Sequence, residues 1–254
     1  MIIDAHTFCW NEEVRLEYFL RQYSPICRHI YIYDNGSTDK SKQVADSYTN
    51  TVWDTSTYGQ EGIDDKILLW QKNNAWKKTS RDADLVFVGD IDEIVYHPRG
   101  LALFFEKALE LGYTVLQPYG YDMISRNIPT HEGNIYDLEE FRVGEKHVNG
   151  NRMDKCVTFS PKQISEIKFE VGAHGAKPSS IPGLGQVKFL RDPDYKLLHY
   201  KYLGREEFAK RHVECSERLC KKNLAEDWGK HYKGPLEQHL ATFDTRFNRS
   251  VKII

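Results

Sequence analysis

The chain has 254 residues, 40% of them hydrophobic, and its 35 Lys and Arg residues nearly balance 37 Asp and Glu residues to give a formal charge of −2. This length and composition suit one α/β domain with one substantial core. The balanced charge removes the electrostatic reason to expect nonspecific nucleic-acid binding, although it allows a small basic pocket.

The first ninety residues alternate strand-like and helix-like segments. Strand patterns at 1–10, 29–34, 51–56 and 83–90 are separated by helical patterns at 11–23, 35–48 and 64–80. In the helix at 64–80 we expect Ile67, Leu68 and Trp70 to face inward. This alternation predicts an α/β fold with a mainly parallel, doubly wound central sheet.

The second part of the chain has a different pattern. A helix is predicted at 99–112, strand-like segments follow at 113–125, 154–161, 166–175 and 195–204, and helical spacing returns from about 205 to 224. No repeat or long linker divides the sequence. We expect one domain over 1–254 that ends in helices.

Three acids follow the predicted strand at 83–90, in the sequence FVGDIDE: Asp90, Asp92 and Glu93. They repel one another and lose hydration beside a buried strand, so the cluster is costly unless a positive group lies among them. Carboxylate oxygens suit Mg²⁺ or Mn²⁺, and such an ion could bridge to a diphosphate. Because ligands bind at the carboxyl ends of strands in open α/β sheets, we expect a metal there. Glu93 is either a further acid of the site or an outward strand-end residue.

Two other residues follow predicted strands. Asp34, in YDNGSTD, could accept a hydrogen bond from a ribose or a base, or could simply form an Asx turn or a helix cap. Trp10 could stack on a planar base, or could belong to the core.

Taken together, the aromatic residue before NEE, the DNGSTD segment and the DID segment resemble the GT-A-fold glycosyltransferases, especially the family 2-like group that uses nucleotide-diphosphate sugars. The resemblance covers most of the chain, is densest before residue 95, and implies a nucleotide-binding half at 1–95 and an acceptor-binding half with C-terminal helices at 96–254. It implies that Trp10 stacks on the base, that Asp34 contacts base or ribose, and that Asp90 and Asp92 form the DxD motif. The expected activity is metal-dependent transfer of a sugar, with Mn²⁺ or Mg²⁺, to a glycan or other hydroxyl acceptor in glycan or polysaccharide synthesis.

Segments of the second half are similar to a bacterial-type subset of the same group. By this resemblance His199, in LLHYKYLG, supplies an imidazole to the metal, although a lone strand-end histidine is otherwise structural. Lys201 would face the same side of the strand and could contact phosphate. His174, in VGAHG, is a further substrate-binding candidate because its glycine neighbours allow close approach.

An inverting transfer needs a carboxylate that deprotonates the acceptor hydroxyl. Asp154 is the first candidate and Asp122 the second. Lys155 could contact the donor, or could form a plain surface ion pair with Asp154. The group contains inverting and retaining enzymes, and inverting hexosyl transfer is the working hypothesis.

Other readings remain open. A sugar nucleotidyltransferase would carry a Gly-rich basic loop after the first strand, where FCWNEEVR has acids instead. A nucleotide- or glycan-binding module without turnover is also compatible, although intact Asp90 and Asp92 argue against it. A dehydrogenase is disfavoured because no GxGxxG follows the first strand.

The ends of the chain and its cysteines bear on location. Asp4 and His6 lie within what would have to be the apolar region of a signal peptide, and the sequence has no run of about 18 apolar residues. We therefore expect a cytoplasmic protein without a transmembrane segment. Such a protein could still contact a membrane peripherally. Five scattered cysteines favour reduced thiols. His212, Cys215 and Cys220 lack a clear fourth zinc ligand, and a structural role is favoured.

Overall fold

The computed structural model describes residues 1–55, 62–130, 132–138, 142–143 and 153–252. The helices of this part are α1 (Glu13–Tyr23), α2 (Ser41–Asp46), α3 (Asp65–Thr79), α4 (Leu101–Glu110), α5 (Arg205–Glu217), α6 (Lys221–Ala225) and α7 (Leu236–Arg249), with short 3-10 helices at Ile135–Asp137, Val171–Ala173 and Lys230–Tyr232. The strands are β1 (Ile3–Cys9), β2 (His29–Asp34), β3 (Thr51–Asp54), β4 (Leu85–Val88), β5 (Glu93–Tyr96), β6 (Val115–Leu116), β7 (Tyr119–Ser125), β8 (Arg142–Val143), β9 (Thr158–Phe159), β10 (Ile164–Glu166), β11 (Ser179–Ser180), β12 (Phe189–Leu190), β13 (Lys196–Leu203) and β14 (Val251–Lys252).

The central sheet has the strand order β12-β6-β9-β4-β1-β2-β3. Strands β4, β1, β2 and β3 run parallel to one another. Strand β9 lies between β4 and β6 and is antiparallel to both. All four residues of β4 are buried, as its apolar sequence LVFV requires. The predicted α/β fold with a mainly parallel central sheet is confirmed.

A second sheet has the order β14-β8-β7-β13-β5. Strand β13 pairs parallel with β7 and antiparallel with β5. In this register His199 lies opposite Glu93 on one side and opposite Asp122 on the other. Strands β5 and β7, far apart in the sequence, therefore each place an acid beside His199 on β13.

Gly120 on β7 allows the backbone at Met153 to approach this strand closely. A Cβ atom added to Gly120 would lie 2.2 Å from the carbonyl oxygen of Met153, a distance that side chains do not tolerate. The absence of a side chain on β7 therefore lets the segment that begins at Met153 pack against the strand. Lys155 follows two residues later and reaches the acid cluster described below.

The predicted buried face of α3 is wrong for two of its three residues, since only Leu68 is half-buried and packs against the core. Ile67 and Trp70 are 37% and 60% exposed, whereas Lys72 and Trp76 are buried. The apolar spacing favoured the face with Ile67 and Trp70, because a lysine such as Lys72 is normally expected at the surface. Lys72 is buried because its ammonium group has an ion-pair partner inside the protein.

Two predicted elements of the second half are also revised. The strand predicted at 166–175 is interrupted by the 3-10 helix Val171–Ala173, because Gly172 and Ala173 have positive φ angles of 73° and 55°. The helix predicted from 205 to 224 ends at Glu217 and begins again at Lys221.

Within the described ranges, no helix is both long and apolar enough to span a membrane. All five cysteines are free, and all except the half-buried Cys220 are buried. The ring of His212 bonds to the carbonyl of Phe208 at 2.9 Å, in line with the structural role favoured for it.

Candidate functional site

The carboxyl ends of three parallel strands bring predicted site residues to one edge of the central sheet. Cys9, the last residue of β1, lies opposite Asp34, the last residue of β2. On the other side of β1, the N–H of Gly89 donates to the carbonyl of His6 at 3.1 Å, which aligns the end of β4 with β1. Trp10, Asp34 and Asp90 therefore leave neighbouring strands at the same edge.

Two lysines neutralise the first half of the acid cluster. The Nζ atom of Lys72 lies 2.6 Å from Oδ1 of Asp90, and Nζ of Lys155 lies 3.8 Å from Oδ2 of the same residue. Lys155 also bonds to Oε1 of Glu93, while Oε2 of Glu93 accepts the N–H of Asp90 at 3.1 Å. Glu93 is fully buried and is a member of the cluster, not an outward strand-end residue.

The charges of this group support one another. Partial burial of Asp90 would raise its pKa, but the ammonium groups of Lys72 and Lys155 outweigh this and hold the pKa below its usual value. Burial likewise would lower the pKa of Lys155, but Glu93 and Asp90 raise it above its usual value. The positive groups that the acids at 90 and 93 require are thus supplied by the chain itself.

The second half of the cluster is built around His199. Its Nδ1 atom lies 2.7 Å from Oδ1 of Asp122, and its Nε2 atom lies 3.3 Å from Oδ2 of Asp92. The N–H of Tyr200 donates to the carbonyl of Asp92 at 2.7 Å, which fixes β13 against this loop. Asp122 is buried, with Nη1 of Arg246 at 4.0 Å from its second oxygen.

Electrostatics make His199 an imidazolium at neutral pH. Burial alone would lower its pKa, but the carboxylates of Asp92 and Asp122 raise the pKa of His199 to about 10. The same contact, together with nearby arginines, holds the pKa of Asp92 well below its usual range despite burial. A cation that binds at Nε2 would therefore have to displace a proton.

The arrangement fits a divalent cation in part. In the described residues, no group of three or more His, Cys, Asp and Glu side chains has the geometry to hold a metal alone. Asp92 and His199 nevertheless present an oxygen and a nitrogen to the same space, and Asp122 holds the other ring nitrogen, as carboxylates do behind histidine ligands of metals. Mg²⁺ and similar ions commonly take one or two carboxylates and complete their shell with phosphate and water.

A buried charge network lies beside this pair and was not predicted. Glu12 bonds to Nη2 of Arg211, and Nη1 of Arg15 lies 3.5 Å from its other oxygen. Burial raises the pKa of Glu12, and the two arginines oppose that rise. Both guanidinium groups also help to lower the pKa of Asp92, so α1 and α5 add positive charge behind the acid cluster.

Trp10 and Asp34 have structural partners at the strand ends. The guanidinium carbon of Arg218 lies 3.6 Å from the centre of the Trp10 ring. The carboxylate of Asp34 is buried and accepts the N–H groups of Gly36 and Ser37, with Ser37 at 3.0 Å. The Asx-type turn considered for Asp34 is therefore present, and its role toward base or ribose stays a prediction.

The structure separates the two candidate bases. Asp154 accepts the N–H of Gly120 at 2.8 Å and pairs with Arg191. The surface pair considered between Asp154 and Lys155 is not formed, because Lys155 is buried against Glu93 instead. Asp122 lies in the His199 group, while the carboxylate of Asp154 is turned to Gly120 and Arg191.

Lys201 lies at the margin of the site, whereas His174 lies on the protein surface. The Nζ atom of Lys201 is 5.7 Å from the centre of the Tyr232 ring. Burial lowers the pKa of Lys201, although Asp122 and Asp92 lie close enough to oppose the change. His174 is exposed and follows the turn at Gly172 and Ala173.

Sequence reasoning missed Lys72, Arg211 and Arg218. All three lie on helices or helix ends and look like ordinary surface cations in the sequence. A partial signal exists for Lys72, because the helix pattern at 64–80 places it among apolar residues. For Arg211 and Arg218, no local pattern distinguishes them from the other charged residues of that region.

Comparisons with known proteins give little beyond this geometry. No protein-family model matches the chain, and no curated protein matches it. A crystal structure of glucosyl-3-phosphoglycerate synthase from Mycobacterium tuberculosis with Mn²⁺, UDP-glucose and phosphoglyceric acid is similar with a TM-score of 0.34 and 20% identity, over 47% of this chain and 44% of that chain. The same synthase with glycerol 3-phosphate gives a TM-score of 0.33 at 20% identity, over 47% and 44% of the two chains.

A further crystal structure, of a mycobacterial protein, has a TM-score of 0.33 and 20% identity over 48% of this chain and 41% of that chain. This chain thus matches less than half the length of each of these structures. Likenesses of this size carry no argument about function. The functional conclusion below rests on the residues and their geometry.

Proposed function

We propose that this protein is a metal-dependent glycosyltransferase that moves a sugar from a nucleotide-diphosphate sugar to a hydroxyl acceptor, in glycan or polysaccharide synthesis. One observation carries the proposal: Asp92, His199 and Asp122 converge at the sheet edge where Trp10 and Asp34 also lie. Crevices at the carboxyl ends of parallel strands are where α/β proteins bind nucleotides. The sequence resemblance to family 2-like enzymes supports the same reading.

Asp92 and His199 would hold the Mn²⁺ or Mg²⁺ ion. When bound, the ion supplies positive charge that stabilises the negative charge developing on the departing diphosphate. Asp122 keeps the His199 ring oriented through Nδ1, so that Nε2 faces Asp92. This positioning matters because a ligand ring that can rotate binds a metal less tightly.

Asp90 has a different role in this proposal. Its carboxylate is held from inside by Lys72, whose side chain is only 3% exposed, while the Asp90 side chain itself is 34% exposed. The accessible part of Asp90 is thereby presented to the crevice in its ionised form. We assign it to hydrogen bonding with donor hydroxyl groups or with water around the metal, in place of the direct metal contact that the DxD resemblance implies.

The remaining predicted contacts belong to donor and acceptor. Lys201 would contact a phosphate oxygen, Lys155 acts from within by balancing Asp90 and Glu93, and His174 would reach the substrate from the rim. For the base that deprotonates the acceptor, Asp122 is favoured over Asp154, because Asp122 lies in the His199 group and Asp154 is held by Gly120 and Arg191. Inverting hexosyl transfer follows if this carboxylate acts on the face opposite the diphosphate.

A donor panel tests the proposal. The protein is incubated with UDP- and GDP-sugars, Mn²⁺ and simple glycan acceptors, and release of nucleoside diphosphate is measured together with the glycosylated product. Titration calorimetry with UDP and GDP, with Mn²⁺ and with EDTA, measures the metal requirement. We expect binding that EDTA weakens at least tenfold.

The matched variants are Asp92→Asn and Asp46→Asn, the latter an exposed aspartate on α2. Only Asp92→Asn should abolish the release of nucleoside diphosphate. Binding of a nucleotide without release or product from any donor would indicate a binding module and contradict the proposed activity. Equal affinity with Mn²⁺ and EDTA would contradict the metal site.

A further inference from the structure

Arg218 covers one face of Trp10. Its guanidinium carbon lies over the ring, 3.6 Å from the ring centre, and its Nη2 atom donates to the carbonyl of Asn35 at 3.2 Å. Asn35 directly follows Asp34 at the end of β2. The residue predicted to stack on a base thus already carries a flat cation, which is fixed to the neighbouring strand end.

The backbone of Arg218 is anchored as firmly as its side chain. Its carbonyl accepts the N–H of Ile63 at 2.7 Å, and the N–H of Cys220 donates back to the carbonyl of Ile63 at 3.1 Å. A Cβ atom added to Gly62 would lie 2.2 Å from the carbonyl oxygen of Arg218. Gly62, with a φ angle of 98°, is therefore needed for this contact.

The side chain of Asn35 completes the anchor, because its Nδ2 atom donates to the carbonyl of Gly62 at 3.1 Å. Arg218 at the end of α5 is therefore joined to the segment before α3 and to the loop after β2. With its side chain held by Trp10 and the Asn35 carbonyl and its backbone held by Ile63, Arg218 is placed to act as a wall of the site. It is not a mobile surface arginine.

A base cannot use the covered face of Trp10 without displacing the guanidinium. A guanidinium is planar and weakly hydrated, and it stacks on aromatic rings through either face. Arg218 is half-buried, so part of it stays accessible to solvent. We propose that Arg218 is the base-binding residue of the nucleotide site: the base stacks on the outer face of the guanidinium, and Trp10 supports that guanidinium from behind.

This inference rests on the proposed function, because it presumes a nucleotide donor, and it revises the way in which Trp10 contributes. The two arrangements predict opposite changes in nucleotide affinity when Arg218 is removed. If the base stacks on Arg218, removing the arginine weakens binding. If the base stacks directly on the covered indole face, removing the arginine uncovers that face and strengthens binding.

The test is titration calorimetry of UDP and GDP in Mn²⁺, repeated with uridine and guanosine, which have no phosphate. Arg218→Ala and Arg218→Lys should both weaken the nucleotide that wild type prefers by on the order of ten- to hundredfold, the range for loss of one stacking contact. The same loss should appear with the nucleoside. Lysine keeps the charge and the solubility of the chain, so it remains informative if the alanine variant folds poorly.

Three further variants define the mechanism. Lys210→Ala removes an exposed cation from the same helix and should leave affinity unchanged. Trp10→Phe keeps a flat ring behind the guanidinium and should weaken binding less than about threefold. Gly62→Ala displaces the backbone that holds Arg218 and should reproduce the loss seen with Arg218→Ala.

The outcomes separate this inference from the proposed function. If wild type binds neither UDP nor GDP with Mn²⁺, both are contradicted. If wild type binds and Arg218→Ala binds equally well or more tightly, only the role of Arg218 is overturned. If Arg218→Lys retains full affinity, or if the loss occurs with UDP or GDP but not with the nucleoside, Arg218 pairs with phosphate and the stacking proposal fails.

Discussion

The Nδ1 atom of His199 lies 2.7 Å from an oxygen of Asp122, and the two residues face each other in register on β13 and β7. If this contact orients His199 toward a metal, Asp122→Ala should weaken Mn²⁺ affinity by about 10- to 100-fold, the usual effect of losing a carboxylate behind a histidine ligand. His199→Ala should weaken it at least as much. Calorimetric Mn²⁺ titrations in the presence of UDP measure both effects.

Asp154→Asn is the matched control for these variants, because Asp154 lies against Gly120 and Arg191 and not beside His199. Its Mn²⁺ affinity should equal that of wild type. Excess Mn²⁺ should restore part of the transfer rate of His199→Ala. An Asp122→Ala protein with unchanged Mn²⁺ affinity would show that the aspartate does not serve the metal site.

Asp92→Asn and Asp90→Asn should differ in stability although both lose transfer. After Asp92→Asn, His199 keeps its contact with Asp122, so the free energy of unfolding should fall less than after Asp90→Asn, although the lowered pKa of Asp92 means that its charge also stabilises the folded protein. After Asp90→Asn, the buried Lys72 loses its carboxylate, and a loss of about 3 kcal/mol is expected. Urea denaturation of both variants decides this, and equal stabilities would contradict the ion-pair assignment.

The buried pair of Lys155 and Glu93 gives a second stability prediction. Lys155→Met leaves the fully buried Glu93 without its cation, which should reduce the free energy of unfolding by about 3–5 kcal/mol. The double variant Lys155→Met, Glu93→Gln removes both charges and should recover part of this loss. Denaturant titrations of the two single variants and the double variant give the coupling energy; purely additive losses would argue against a direct pair.

Protein stability should fall with acidification because of His6. This buried ring lies 3.0 Å from the Tyr33 hydroxyl and 2.9 Å from the Ser80 hydroxyl, and burial lowers its pKa to about 3, although Asp4 opposes the change. The unfolded chain takes up a proton below pH 6.5, whereas the folded chain does so only near pH 3. Stability contributed by neutral His6 is therefore present above pH 6.5 and is lost as the pH falls from 6.5 toward 3, by about 1.4 kcal/mol per pH unit.

Denaturation at pH 7.5, 6.0 and 5.0 measures this slope. Burial also lowers the pKa of His212 to about 2, so this residue adds to the slope in the same direction. His6→Gln should make the slope shallower by about the contribution of one histidine, whatever its effect on absolute stability. An unchanged slope would mean that His6 is charged in the folded protein.

The order of strands and helices in the first ninety residues followed from the sequence, because the periodicity of apolar side chains is a local property. The meeting of the acids after β4 with Asp34 at the end of β2 also followed from the sequence. Parallel strands end at a common edge, so the residues at their carboxyl ends lie close together. His199 was also identified, from its place at the end of an apolar run and from the family resemblance. The metal role of this residue remains a prediction.

The partners of these residues were decided only by the tertiary structure. The charge that balances Asp90 and Glu93 comes from Lys72 on α3, for which the sequence carries only a partial signal, and from Lys155, for which it carries none. Arg218 reaches Trp10 across more than two hundred residues of sequence. Such pairs depend on how β13, α3 and α5 pack against the sheet, and an ion pair or a stacking contact forms only where that packing removes water from both partners.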